Sequence, residues 1–167
     1  MAALPGNLTI RVASADDLPA LDRGVPTPGR GNAHRLERSL AGESALLLAC
    51  VEGEVVGRGE LMWSPKEDSV RAEHPDVPEL NGLDVPERWR GHGIGTALIE
   101  TAARLAAERG RPALGLDVAS DNPAAKRLYA RLGFEGDLDY TDRYTIVHEG
   151  EVHDFADSCR FLTRALP

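Results

Sequence analysis

Lysine is nearly absent from the 167-residue chain: Lys66 and Lys126 are the only two, and neither follows a glycine. That excludes the nucleotide loop in which a lysine behind a glycine run reaches the terminal phosphates. Cysteine is as scarce. Cys50 and Cys159 each lie in or beside an apolar segment and read as small core residues, not as disulfide partners or nucleophiles. His34, His74, His92, His148 and His153 are too scattered to form a metal centre, and none is expected. Long apolar runs are also missing. The longest, residues 45–51, falls far short of the roughly 20 residues that span a bilayer, so no membrane insertion is expected. Residues 1–7 lack the basic region and apolar run of a secretory signal, which makes the cytoplasm the expected compartment. Basic charge is in deficit, with a formal net charge of −8 and a pI near 5.1. A nucleic-acid binder would need a basic face, so that class is excluded, and a cationic or neutral small substrate is easier to accommodate.

With 42% hydrophobic residues and no composition break, residues 1–167 are expected to form one domain around a single core. Residues 8–12 alternate as a first strand, and Ser14 precedes a short helix with acids in its first turn. A Gly- and Pro-rich loop at 23–32 leads to a helix at 33–40. Residues 45–51 and 55–63, joined at Glu52-Gly53-Glu54, form a hairpin. Residues 64–76 are polar and read as irregular. Residues 77–85 follow as a strand in which Pro78 and Gly82 mark an edge, a bulge or a local opening. Apolar residues at helical spacing predict a helix over 95–109 with Gly110 at its C-cap; a strand follows at 113–118, then a helix at 123–132 closed by Gly133. Residues 145–148 and 158–163 read as two final strands, which could pair across a homodimer.

The chemistry is concentrated where a strand ending Leu83-Asp84-Val85 runs through residues 86–90 into Gly91-His92-Gly93-Ile94-Gly95 and a helix. Helix starts present free N–H groups at the positive end of the helix dipole, which favours an anion. Alternate glycines remove side chains that would hold a diphosphate away, and Arg90 adds a charged donor. A dinucleotide-binding fold is the nearest rival, with Asp117 about where its ribose-binding acid would lie. It fails on three counts: Thr96 stands where the third glycine belongs, residues 86–90 intervene where the turn should be tight, and half the chain precedes the motif.

Arg90, Gly93 and Gly95 at this spacing, together with the segment from Asn122-Pro123 through Tyr129 to Gly133-Phe134, resemble the GNAT superfamily of N-acetyltransferases. The similarity runs from about Leu8 to Leu166 and is thin at 23–44 and 64–76. It implies an α/β fold: a mixed, strongly twisted sheet flanked by helices, whose fourth and fifth strands are parallel and splay apart. It also implies acetyl-CoA as co-substrate and a primary amine as acceptor; a small molecule is the expected carrier of that amine, with an antibiotic, an amino acid and a protein N-terminus left open. Pantetheine would pair along Leu83, Asp84 and Val85, with diphosphate on the amides of Arg90, Gly91, His92, Gly93, Ile94, Gly95 and Thr96. The amide of Val85 would stabilise the oxyanion. Asn122 would cap its helix and touch pantetheine.

An ammonium with a pKa of roughly 10 must lose a proton before attack, so a base is required. Glu79 is the first candidate: strict alternation would put it on one face with Asn81, Leu83 and Val85, beside the thioester. A solvated edge-strand charge is the plain alternative. Asp76, Asp117, Glu87 and His153 are weaker candidates. Tyr129 is the candidate acid for the departing thiolate, against the alternative of a core aromatic. His92 decorates the loop, and Trp63 and Trp89 read as packing residues. Tyr140, Asp142, Tyr144 and the loops at 23–32 and 64–76 are expected around the acceptor, where Asp76, Glu79 and Asp142 would suit a cation. A non-enzymatic acyl-CoA-binding or regulatory module is the alternative function.

Overall fold

The computed structural model describes residues 2–167. Seven strands form one sheet in the order β1-β2-β3-β4-β5-β7-β6. They are β1 (Thr9–Val12), β2 (Ser44–Val51), β3 (Glu54–Met62), β4 (Glu79–Asp84), β5 (Ala113–Ala119), β6 (Glu135–His148) and β7 (Glu151–Ala165). Five helices accompany them: α1 (Leu18–Gly24), α2 (Gly31–Leu40), α3 (Asp68–Glu73), α4 (Ile94–Glu108) and α5 (Pro123–Arg131). Among the described residues no helix is long and apolar enough to cross a membrane. The sheet's edges are β1 and β6. The final strand, β7, is bonded to β5 through residues 159–165 and to β6 over most of its length, so its outer residues 151–157 are paired on the β6 side alone.

Each face of the sheet has its own core. On one, α4 buries Ile94, Leu98, Ile99, Ala102, Ala103 and Ala106 against Leu47, Ala49, Leu114, Leu116 and Val118. The i, i+4, i+8 spacing puts these residues on a single stripe. Leu98 is fully buried, so truncating it to alanine would cost about 2–5 kcal/mol. On the other face α1 and α2 set Leu21 and Leu36 over Leu46, Leu48 and Cys50. A smaller cluster there joins Val70 of α3 and Val77 to Phe161 of β7.

Three elements differ from the sequence expectation. Residues 64–76 contain α3, six residues that bury only Val70 and therefore carry no periodic signature. The last two strands are 14 and 15 residues long, far beyond the two short segments expected, and they make a hairpin whose outer half is exposed. The second half of β4 also breaks its own alternation: Glu60 faces Asn81 while Arg58 faces Asp84, so three residue steps on β4 match two on β3. Gly82, at φ +59°, takes up the extra residue as a bulge.

Candidate active site

Between β4 and α4 the chain passes Pro86, a short 3₁₀ turn at Glu87–Trp89, and the glycine loop. Gly91 (φ +76°) and Gly93 (φ +78°) adopt left-handed conformations that residues with a Cβ rarely reach, and Gly93 sits at the N-cap of α4. A cavity of about 430 Å³ opens over this helix start. Leu83, Asp84 and Val85 form one wall, Arg90, Gly91 and residues 93–96 the floor, and Ala124, Ala125 and Leu128 of α5 the other wall. A Cβ built on Gly91 or Gly95 would meet nothing within 4 Å, so the loop offers an open cradle at the positive end of a 15-residue helix. That is a fit for a diphosphate.

Nine of the expected cofactor-binding residues line this cavity: Leu83, Asp84, Val85, Arg90, Gly91, Gly93, Ile94, Gly95 and Thr96. Ile94 is 1% exposed with its side chain in the core, so only its backbone is available. His92 is outside the lining and sets its ring edge-on to Trp89 at 6.1 Å. Asn122 is outside it too, and caps α5 by accepting from the Ala125 N–H at 3.1 Å. The Arg90 Nε donates to the Val85 carbonyl at 2.8 Å, tying the loop back to the end of β4.

β4 and β5 are the parallel pair, and they are joined only at Glu79–Gly115 and Leu80–Leu116. Beyond Leu80 they part. Because of the bulge at Gly82, the expectation that Glu79, Asn81, Leu83 and Val85 share a face is wrong. Leu80, Leu83 and Val85 pack with the α4-side core, while Glu79 and Asn81 lie on the opposite face. Glu79 is 3% exposed; its carboxylate accepts from the Lys66 backbone N–H at 2.8 Å and from the Asn81 amide at 3.3 Å. Burial, then the nearby charge of Asp117, hold its proton to higher pH than is usual for glutamate, against the pull of the Lys66 bond. A solvated edge charge is therefore not what Glu79 is. Of the weaker candidates, Asp117 on β5 is at the same place: burial raises its pKa, and the Tyr140 hydroxyl and Cys159 thiol share hydrogen bonds with it. Cys159 is pushed up to about 12, mainly by burial, which leaves it a thiol at neutral pH.

Tyr129 sits on the other side of the sheet, half-buried on α5 with its ring edge-on to Phe134 at 6.2 Å. Burial raises its pKa, followed by the charge of Asp117, the same carboxylate that acts on Glu79. The charge of Asp117 thus raises the pKa of both candidates, which lie on opposite faces of the sheet. Asp76 is exposed, and Glu87 and His153 are exposed on the 3₁₀ turn and the outer β6–β7 hairpin.

A second cavity, of about 620 Å³, lies on the Glu79 face of the sheet between the loop before α2, α2 itself, β3 and β6. Tyr144 lines it and Asp142 does not: the Asp142 carboxylate takes the Lys66 ammonium at 2.7 Å. The lining carries Arg30, His34, Arg35 and Arg58 and no carboxylate, so it does not suit a cation. Arg35 and Arg58 escaped the sequence reading. A signal existed, because Gly57-Arg58-Gly59-Glu60 places two charges at i and i+2 inside an otherwise apolar hairpin. Among the described residues no three His, Cys, Asp or Glu side chains gather as a metal site.

The fold is shared with solved N-acetyltransferase structures. An N-acetyltransferase from Staphylococcus aureus superposes with a TM-score of 0.71 at 18% identity, over 97% of this chain and 100% of that one. An acetyltransferase of the GNAT family from Elizabethkingia anophelis, solved with acetyl-CoA bound, superposes at 0.66 and 19% identity, over 97% and 100%. The sequence model of the Acetyltransferase (GNAT) family matches residues 15–134, more than half of the chain, and the chain belongs to that family. Among curated proteins, an uncharacterized N-acetyltransferase of Methanocaldococcus jannaschii is 44% identical over 63 residues, which are 38% of this chain and 28% of that protein. The mycothiol acetyltransferase of Paenarthrobacter aurescens is 31% identical over 113 residues, 68% and 34% of the respective lengths. The chain therefore spans about a third or less of these curated relatives.

Proposed function

We propose that the chain is an acetyl-CoA-dependent N-acetyltransferase acting on a primary amine by direct attack. The observation that carries this is the pairing of an open glycine cradle with a parted strand pair that has buried carboxyls on one face and a phenol on the other. The amides of residues 90–96 hold the diphosphate, and the wall from Leu83 to Val85 guides the pantetheine arm toward the gap. Bound acetyl-CoA supplies an acetyl thioester, whose carbonyl carbon forms the new C–N bond while its C–S bond breaks. Glu79 takes the proton that the ammonium must lose, directly or through a water, and its raised pKa brings it nearer to the working pH. The Val85 N–H donates to the carbonyl oxygen as negative charge develops there. Tyr129 gives its proton to the departing sulfur; burial, and then the charge of Asp117, disfavour the phenolate and keep that proton in place until the sulfur departs.

An amine panel with released thiol as readout tests the proposal. Transfer to at least one amine is expected, with Tyr129→Phe lowering kcat by about 10²-fold or more while CoA affinity is retained. If acetyl-CoA binds and no amine in a broad panel is acetylated, the proposal fails and the non-enzymatic acyl-CoA-binding module takes its place.

A further inference from the structure

We infer that the acceptor amine carries an oxyanion, a carboxylate or a phosphate, which is held by the guanidinium groups of Arg35 and Arg58. This rests on the acetyl-transfer reading and names the acceptor class that reading leaves open. Arg58 rises from β3 with its side chain only 5% exposed, and Arg35 reaches in from α2 with 19% exposed. They converge on one point above the β4 bulge: a Cβ at Gly82 would lie 2.8 Å from the Arg35 Nε and 2.9 Å from an Arg58 Nη. Like charges brought together under a protein surface require compensation.

The described residues supply little of it. Glu60, 1% exposed, is already taken by Arg38 through two hydrogen bonds of 2.8 Å and by the Ser44 hydroxyl. It stands 3.8 Å from the Arg35 Nε. Asp84 is 3.9 Å from Arg58 and half in solvent. Arg58 donates to the Gly82 carbonyl, yet its Nε and that of Arg35 are buried with no hydrogen-bond partner among the described residues. Burial, and then the charge of Arg35, pull the Arg58 pKa down to about 10. Both side chains line the 620 Å³ cavity, so an anion there would meet two guanidinium groups whose charge the surrounding carboxylates compensate only from 3.8 and 3.9 Å. Two guanidinium forks match a carboxylate or a phosphate and give geometric specificity that lysines would not.

The placement fits an acceptor with both functions. Gly82 is three residues along β4 from Glu79, a span of about 10 Å at roughly 3.3 Å per residue, and both guanidinium groups stand over Gly82. One small molecule can therefore present its amine at the gap and its anion to the arginines. Tyr144 and Ile146 give its carbon skeleton an apolar wall.

Matched pairs test this. Leucine against isopentylamine, phenylalanine against phenethylamine, lysine against cadaverine, and phosphoethanolamine against ethanolamine differ within each pair by one anionic group. We expect kcat/KM at least about tenfold higher for the anionic member of at least one pair, as a charge-assisted hydrogen bond provides; the phosphate pair separates the two anions. Arg35→Gln and Arg58→Gln should each shrink that ratio, and Arg35→Gln, at a partly exposed helix position, decides the matter if Arg58→Gln does not fold. A second arm needs no turnover: thermal shift of the CoA-saturated protein by N-acetyl-leucine or N-acetyl-phenylalanine against the matching neutral acetamides, and by N-acetyl-phosphoethanolamine against N-acetylethanolamine. If no amine is acetylated but an anionic product shifts the melting temperature and its neutral partner does not, the acetyl-transfer reading falls while the anion site stands. Equal responses to both members of every pair, or a ratio untouched by Arg35→Gln, overturns the inference.

Discussion

Glu79 combines two properties that pull apart, since a carboxyl whose pKa is raised by burial, with Asp117 adding to it, accepts a proton more readily than an ordinary glutamate and is a poor ion to fold around. Its pKa is raised above the ordinary 4.5, so its contribution to stability is fully present below 4.5 and is lost as pH rises through the folded value. Glu79→Gln should therefore do two opposite things. It should lower kcat by about 10²–10⁴-fold, and it should raise the melting temperature by a few degrees under mildly alkaline conditions, with the gain vanishing below pH 4.5. A melting series across pH beside a rate assay checks both; a variant that is slower and no more stable would mean that burial of the charge has been misjudged. If the chain transfers acetyl as proposed, kcat/KM of the unsubstituted protein should fall as pH drops and Glu79 takes up its proton. Gly95 gives a cleaner probe of the cradle than Gly93, because Gly93 holds a left-handed φ that valine resists whereas Gly95 is an ordinary helical residue with open space around its missing Cβ. Gly95→Val should weaken CoA at least about tenfold by calorimetry while costing under about 1 kcal/mol of stability. Unchanged affinity would put the diphosphate elsewhere.

Elements differ in how openly the sequence declares them. α4 and α5 were legible because apolar spacing, the Gly110 and Gly133 stops and the Asn122 cap agree, and with them the strand–loop–helix geometry of the cradle. α3 was illegible because one buried residue makes no period. The long β6 did carry a signal, Leu138, Tyr140, Tyr144 and Ile146 at even spacing, but interleaved Asp and Arg residues masked it, since both faces of the outer hairpin meet water. The face of Glu79 was misread because a bulge shifts parity without altering composition; Gly82 advertised a bulge and not its consequence. That glycine supports its own prediction. Gly82→Ala adds a left-handed penalty of about 1–2 kcal/mol and drives a methyl into two guanidinium groups, so urea unfolding should show a loss of at least that size. A neutral Gly82→Ala would mean that the bulge relaxes freely.

For the molecule as a whole, charge sets a preferred pH. The Arg11 guanidinium, at 2.7 Å to both oxygens, with the Ser14 N–H and hydroxyl, holds the Asp17 carboxyl far below its ordinary 3.8. That stability is present above 3.8 and lost as pH falls. Glu79 and Asp117 act in the opposite sense, being easiest to bury when protonated. Denaturation midpoints should accordingly peak on the acid side of neutrality and decline both ways, and Glu79→Gln should flatten the alkaline decline.

The two-rung junction between β4 and β5 has a mechanical reading as well. Strands β1–β4 and β5–β7 form two plates stitched by a pair of rungs and bridged by α4, so this line is where the sheet has the least resistance to shear. A ligand lying along Leu83 to Val85 would act as a removable splint. Amide exchange at residues 81–85 and 117–119 should then be fast in the free protein and slow with CoA, while exchange along β2 and β3 stays as it was.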